Sequence, residues 1–300
     1  MDNLTELYCH IDDFCKLHQQ HLTAYAIPHK SKSSKKKRNR PCRISLAEII
    51  TLLVLFHQIR YREFKAFYFD YVCRWLKKEF PHLPSYQRLL ELIPRVISPM
   101  HDYLKVLMAN NCTGISFIDS SKLAVCDNRR IERHQVFTPY ASRGKTSMGW
   151  FYGFKLHAII NDKAELVNVC LTSGNVDDRK PVEYLCNVVH GKLYGDKGYV
   201  SQPLADKLAN DKDITFITRT KKNMKPKELE AIDKRLLKRR ALIETVFDEL
   251  KNICQIEHTR HRSVTGFLSN LLGGLIAYCW QPNKPSLKNV LVEYKLPDIA

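Results

Sequence analysis

Two strand-like segments of this 300-residue chain each carry an aspartate where a strand would carry an apolar side chain. In Ile115-Ser116-Phe117-Ile118-Asp119-Ser120 the acid follows an apolar pair. In Lys192-Leu193-Tyr194-Gly195-Asp196-Lys197-Gly198 it sits at the carboxyl end of the strand, where α/β sheets present ligands. Downstream, Arg239 to Lys251 reads as a helix with Glu244 on its wet face and Ile243, Phe247, Leu250 and Cys254 as its apolar stripe. Asp248 and Glu249 compete with Glu244 for the place of third acid. A carboxylate beside an apolar strand is costly to desolvate without a positive neighbour. Three of them brought together repel, and their pKa values rise unless a cation joins them. Oxygen-only ligands suit Mg²⁺ or Mn²⁺, not zinc. Two such ions roughly 3.5–4 Å apart serve an in-line phosphoryl displacement. The three acids therefore point to a divalent-metal site that works on a phosphodiester. Arg240 and Lys251 share the Glu244 face and are placed to touch DNA phosphate.

The elements that must position these acids follow from hydrophobic period and turn chemistry. A strand is expected from Ile115 to Val125, a second from Phe151 to Ile160 and a third from Leu166 to Leu171, the last two joined by the Asn161-Asp162-Lys163 turn as a hairpin. Asp178 to Val189 reads as a helix with Asp178 as its N-cap, and Asp177 as an outer neighbour of the site at most. Lys192 to Gly195 is a short strand, Ser201 to Asn210 a helix, Ile214 to Thr218 a strand, and Lys227 to Cys254 one long helix. Three strands followed by alternating helices and strands imply a mixed five-stranded sheet with helices on its faces.

The first 112 residues have a different texture. Leu4, Leu7, Ile11, Phe14 and Leu17 form a helical stripe. Residues 29–43 form a self-repelling basic linker that includes Lys35, Lys36, Lys37 and Arg38. Ser45 with Glu48 is a capping box that opens an apolar and aromatic helical run to Tyr71. Its aromatic residues read as core, not as base-stacking groups. Pro81, Pro84, Pro94 and Pro99 cut the stretch from Val72 to Met108 into short helices. The formal net charge of +17 predicts attraction to polyanions. The ten cysteines contain no Cys-x-x-Cys pair, which argues against a zinc module and fits reduced thiols. Neither a signal peptide nor a membrane-spanning run is apparent, so a cytoplasmic location and no membrane partner are expected.

With these motifs in hand, the chain resembles bacterial insertion-sequence transposases of the DDE type, most closely the insertion-sequence 982 family. The resemblance rests on Phe117-Ile118-Asp119-Ser120, Tyr194-Gly195-Asp196-Lys197-Gly198-Tyr199, and Arg240-Ala241-Leu242-Ile243-Glu244 followed by Lys251. It implies a ribonuclease H-like core over residues 113–281, after an all-helical basic DNA-binding region at 1–112 and before a tail at 282–300. It implies Asp119, Asp196 and Glu244 as catalytic metal ligands, with Mg²⁺ or Mn²⁺, two ions, and no small-molecule cofactor. Arg240 and Lys251 match the Arg-x-x-x-Glu-x-x-x-x-x-x-Lys signature of related transposases. Leu237 stands where that signature often has a tyrosine.

The expected activity is cleavage and strand transfer at terminal inverted repeats, with double-stranded repeat and target DNA as partners and a homodimer on DNA. A structure-selective nuclease or resolvase of the same fold is one alternative, and an inactive DNA-binding regulator is another. Lys197, Arg143, Lys221 and Lys222 join Arg240, Lys251 and the linker cations as expected DNA contacts. Arg129, Arg130, Arg133, Arg143 and Lys145, with Tyr140 and Trp150 beside them, read either as a DNA-gripping loop or as a solvated one.

Overall fold

A computed structural model describes residues 2–24, 42–147, 149–220, 224, 228–258 and 260–286. The expected DNA contacts Lys35, Lys36, Lys37, Arg38, Lys221 and Lys222 lie outside the described residues, as do most of the basic linker and of the tail. The chain divides into two compact units, Met1–Leu104 with Thr265–Ala277, and Lys105–Val264 with Tyr278–Ala300.

The first unit is helical. Helix α1 (Asp2–Ala24) buries Leu7 and Ile11 fully, whereas Leu17, read as part of the same stripe, is exposed. Helix α2 (Leu46–Gln58) opens on Ser45, whose hydroxyl accepts from the Glu48 amide while the Glu48 carboxylate accepts from the Ser45 amide. The run expected to continue to Tyr71 breaks after α2, where Arg60 takes a left-handed φ of 62°. It resumes as α3 (Phe64–Ala66), a π-helical turn (Phe67–Val72) and α4 (Cys73–Trp75). Phe56, Phe67 and Tyr68 are core, as apolar area removed from water favours; Phe69 is exposed. The prolines deliver the expected short pieces, α5 (Tyr86–Leu92), a 3₁₀ turn (Ile93–Val96) and α6 (Ile97–Met108).

The second unit is built on a mixed six-stranded sheet, one strand more than expected. The strands are β1 (Ile115–Cys126), β2 (Ser142–Thr146), β3 (Gly149–Asn161), β4 (Leu166–Ser173), β5 (Gly191–Gly195) and β6 (Ile214–Thr218). Their order is β2-β3-β1-β5-β6, with β4 also paired to β3. The additional strand is β2, which has the composition Ser-Arg-Gly-Lys-Thr and so lacks the apolar alternation that marks a strand. It pairs antiparallel with the first five residues of β3, and β4 pairs with the remainder. β1 is antiparallel to β3 and parallel to β5, and β5 is parallel to β6.

Helices cover the sheet. The helix expected from Asp178 to Val189 is only α7 (Val182–Leu185) and a 3₁₀ turn (Cys186–Val188). With α8 (Gln202–Lys212), these pieces bury Ile118, Leu193 and Phe216 in one apolar cluster. The opposite face receives α9 (Ala231–Arg239) and α10 (Ala241–Asp248), separated at Arg240, and a π-helical turn (Glu249–Ile253). The expected single long helix is thus two, with Ile243, Val246 and Leu250 fully buried. Helix α11 (Val264–Cys279) lies almost wholly in the first unit. Among the described residues, no helix is long and apolar enough to cross a membrane.

Candidate active site

The strand register decides where the two aspartates stand. Phe117 is paired with Tyr194 across the parallel β1–β5 ladder, and their rings lie 5.7 Å apart. Asp119 and Asp196 are each two residues further on. Residues two apart share a face, and adjacent strands are about 4.8 Å apart. Asp196 keeps an extended backbone (φ −74°, ψ 168°) beyond the last β5 residue. The two carboxylates therefore leave neighbouring strands from the same face at the same level.

Glu244 reaches them from α10 through Arg240. The Arg240 guanidinium donates to Asp119 Oδ2 at 2.7 Å and to Glu244 Oε1 at 2.8 Å. The Arg240 side chain is 9% exposed, that of Asp119 23% and that of Glu244 58%, so the site opens towards Glu244. Asp248 binds the Asn252 amide and Glu249 faces Gln281, so neither of these acids reaches Arg240.

The electrostatics carry the same message. Burial pushes the Asp119 carboxyl above its ordinary value and the charge of Asp196 adds to the rise, against the pull of Arg240 and the Ser120 amide. Burial works against the Arg240 charge, but Asp119, Asp196 and Glu244 together hold its pKa above the ordinary value. Among the described residues no group of three His, Cys, Asp or Glu is closed up as a metal cage. The acids converge instead on a guanidinium, a cation already present among them. Carboxylate oxygens are the donors that a hard divalent cation takes.

Several polar residues around the site were not singled out as site residues from sequence. Asp178 is no helix cap, because α7 begins at Val182 and Pro181 caps it without a side-chain bond. Its Oδ1 accepts from the Ser120 hydroxyl and from Lys155 Nζ, both at 3.0 Å, on the face of β1 behind Asp119. His157 is fully buried beside it, Nε2 2.8 Å from the Thr172 hydroxyl, and burial lowers its pKa to about 4. The signal was Lys155 itself, since a lysine inside an apolar strand needs an acid partner. Asp177 pairs with Arg179 at 2.6 Å at the surface, and that guanidinium holds its carboxyl well below the usual range. On the other side, buried Asp233 of α9 accepts from the Tyr194 hydroxyl at 2.7 Å and from Lys192 at 3.0 Å, fixing α9 to β5.

The expected DNA contacts divide in two. Arg240 is committed to Asp119 and Glu244, and Lys251 donates to the Lys122 carbonyl at 2.6 Å and pairs with Glu257 at 3.1 Å. Glu257 Oε1 in turn accepts from the Ala124 amide at 2.9 Å. Both cations thus hold the helix to the sheet and do not project outward. Lys197 and Arg143 are exposed.

Residues 109–264, just over half of the chain, match the family model described as a transposase DDE domain. The match spans β1 through the π-helical turn after α10, including Asp119, Asp196 and Glu244. No curated protein and no solved structure was found to match.

Proposed function

This chain belongs to the DDE transposase family and is a metal-dependent polynucleotidyl transferase acting on DNA; we propose that Asp119, Asp196 and Glu244 are its catalytic metal ligands. The observation that carries this reading is the shared level and face of Asp119 and Asp196 on parallel strands, with Glu244 brought to Asp119 through one guanidinium.

Mg²⁺ or Mn²⁺, as a pair of ions, would supply Lewis-acid activation of the attacking hydroxyl and charge relief at the leaving oxygen. The chain's own part is positional. β1 and β5 fix two carboxylates at one level, and the buried stripe of α10 fixes the third. Arg240 bridges Asp119 and Glu244; those two carboxylates, with Asp196, would hold the ions. The back network of Ser120, Asp178 and Lys155 anchors β1 from behind.

Within this reading the catalytic domain is a ribonuclease H-like core of the insertion-sequence 982 type, and the helical region of residues 1–112 binds DNA. The substrates are the element's terminal inverted repeats, cut and then joined to target DNA by two homodimerised copies in the bacterial cytoplasm. The strand pairing, antiparallel first and then parallel, supports the core assignment. The clustered basic charge supports the DNA partner.

The test is a cleavage and strand-transfer assay on a labelled duplex carrying the element's ends, comparing the wild type with Asp196→Ala. Loss of a metal ligand should lower both steps by roughly 10³-fold or more while leaving DNA binding intact. Cutting without joining would replace the transposase reading with a nuclease. Full activity in Asp196→Ala would remove Asp196 from the site.

A further inference from the structure

The β2–β3 hairpin carries a basic and aromatic surface that the reacting centre does not use. Register places Arg143 opposite Tyr152 and Lys145 opposite Trp150, so these four side chains share one face of the hairpin. Arg143, Lys145 and Trp150 are exposed, Trp150 at 59%, and Lys145 Nζ lies 5.6 Å from the Trp150 ring centroid. An exposed tryptophan flanked by cations is an uncommon use of a large apolar side chain. The neighbouring 3₁₀ segment, Asn128–Arg133, is tied to the hairpin by Asn128 Nδ2 donating to the Trp150 carbonyl at 2.8 Å. It adds exposed Arg129, Arg130 and Arg133, against only Asp127 and Glu132.

The hairpin is also rigidly seated. A Cβ on Gly144 would lie 2.2 Å from the Gly174 carbonyl, and one on Gly174 would lie 2.7 Å from the Ser142 carbonyl. Two backbones cross there at a distance that only glycine permits. The position is therefore held by the turn after β4 and is not set by the hairpin alone.

Its direction matters most. Asp119 is paired with Ala158 on β3, and Trp150 lies on the same face of β3 as Ala158, eight residues earlier. At about 3.3 Å per residue, that separation is roughly 26 Å, or seven to eight base-pair steps of duplex DNA. We propose that the β2–β3 hairpin clamps the duplex flanking the cut, just under one helical turn from the scissile phosphate. Arg143 and Lys145 hold its phosphates, and Trp150, released from Lys145, rests against the sugar edge beside them. The proposal rests on the reading of Asp119 as part of the reacting centre.

The test uses the full chain and a labelled duplex carrying the terminal repeat, with phosphate-ethylation interference and a salt series. Removing two phosphate contacts in Arg143→Gln/Lys145→Gln should weaken binding by about tenfold and reduce the slope of log affinity against log salt by about two. Interference should vanish at phosphates about seven to eight base pairs from the cut and persist at the scissile phosphate. Trp150→Ala should weaken binding a few-fold without changing the slope. An unchanged slope and interference pattern in the double variant overturns the clamp, as does a loss confined to phosphates next to the cut. If the wild type still cuts the duplex in that case, the transposase reading stands and only the clamp falls. A wild type that neither binds nor cuts the repeat removes both.

Discussion

The two faces of β1 carry charge clusters of similar composition and different character. On the back, Asp178 receives the Ser120 hydroxyl and the Lys155 ammonium, with neutral His157 behind them. On the front, Asp119 and Glu244 are joined through Arg240, and the Asp119 carboxyl is pushed above its ordinary value. Lys155 is 12% exposed and His157 not at all, whereas Glu244 is 58% exposed. A cluster whose lysine and histidine are largely buried around their acid resists change because removing one member strands another. A half-open cluster bridged by a guanidinium leaves room for another cation. On the proposed reading the back cluster is a brace and the front one a site, and substitutions in the two clusters test which side of that line a residue falls on.

The largest effect should come from acid. His157 has a depressed pKa of about 4 in the fold against about 6.5 in the unfolded chain. The unfolded state then binds more protons between these values, so stability is complete above the unfolded value and is lost as pH falls towards the folded one. The full loss is about 3 kcal/mol. Urea unfolding from pH 7 to pH 4 should show this loss in the wild type and a smaller one in His157→Gln. Equal losses in both proteins would mean that His157 titrates normally.

Lys155→Ala comes next. It leaves Asp178 with the Ser120 hydroxyl and the more distant His157 Nδ1 at 3.9 Å, and removes the donor that Lys155 gives the Val176 carbonyl at 2.9 Å. Breaking a buried pair costs roughly 3–5 kcal/mol, but Asp178 is 36% exposed and water recovers part of that, leaving about 2 kcal/mol. The variant should unfold at lower urea with Mn²⁺ affinity unchanged. A weaker Mn²⁺ affinity would place Asp178 at the front site after all.

Much of this arrangement was legible in the sequence where a local rule has one structural answer. The Ser45–Glu48 capping box, the β3–β4 hairpin and the β1, β5 and β6 segments all arise from such rules. β2 was not legible, because its pairing is imposed by β3 and a Ser-Arg-Gly-Lys-Thr strand has no apolar face of its own. The shortened α7 was missed because Asp178 has a good cap residue's chemistry, yet its tertiary partners Ser120 and Lys155 win over the local helix end. The convergence of Arg240 on Asp119 was also hidden. Helix spacing links Arg240 to Glu244 four residues on, but the 121-residue separation from Asp119 is a matter of tertiary packing.

Arg240→Gln gives the smallest expected effect and the sharpest reading of the front face. Arg240 and a divalent ion cannot both sit between Asp119 and Glu244, so the free energy of the guanidinium's two bonds opposes metal binding in the wild type. Glutamine keeps a donor but not the charge. Calorimetric or paramagnetic titration with Mn²⁺ alone, without DNA, should show binding about tenfold tighter in the variant, equivalent to about 1.4 kcal/mol. The metal-free variant should also unfold more easily, because Asp119, Asp196 and Glu244 lose their common counter-charge. Added Mn²⁺ should restore that stability. If Mn²⁺ binds no more tightly and restores nothing, Arg240 is a brace like Lys155, and the ions are held by oxygens on the far side of the carboxylates.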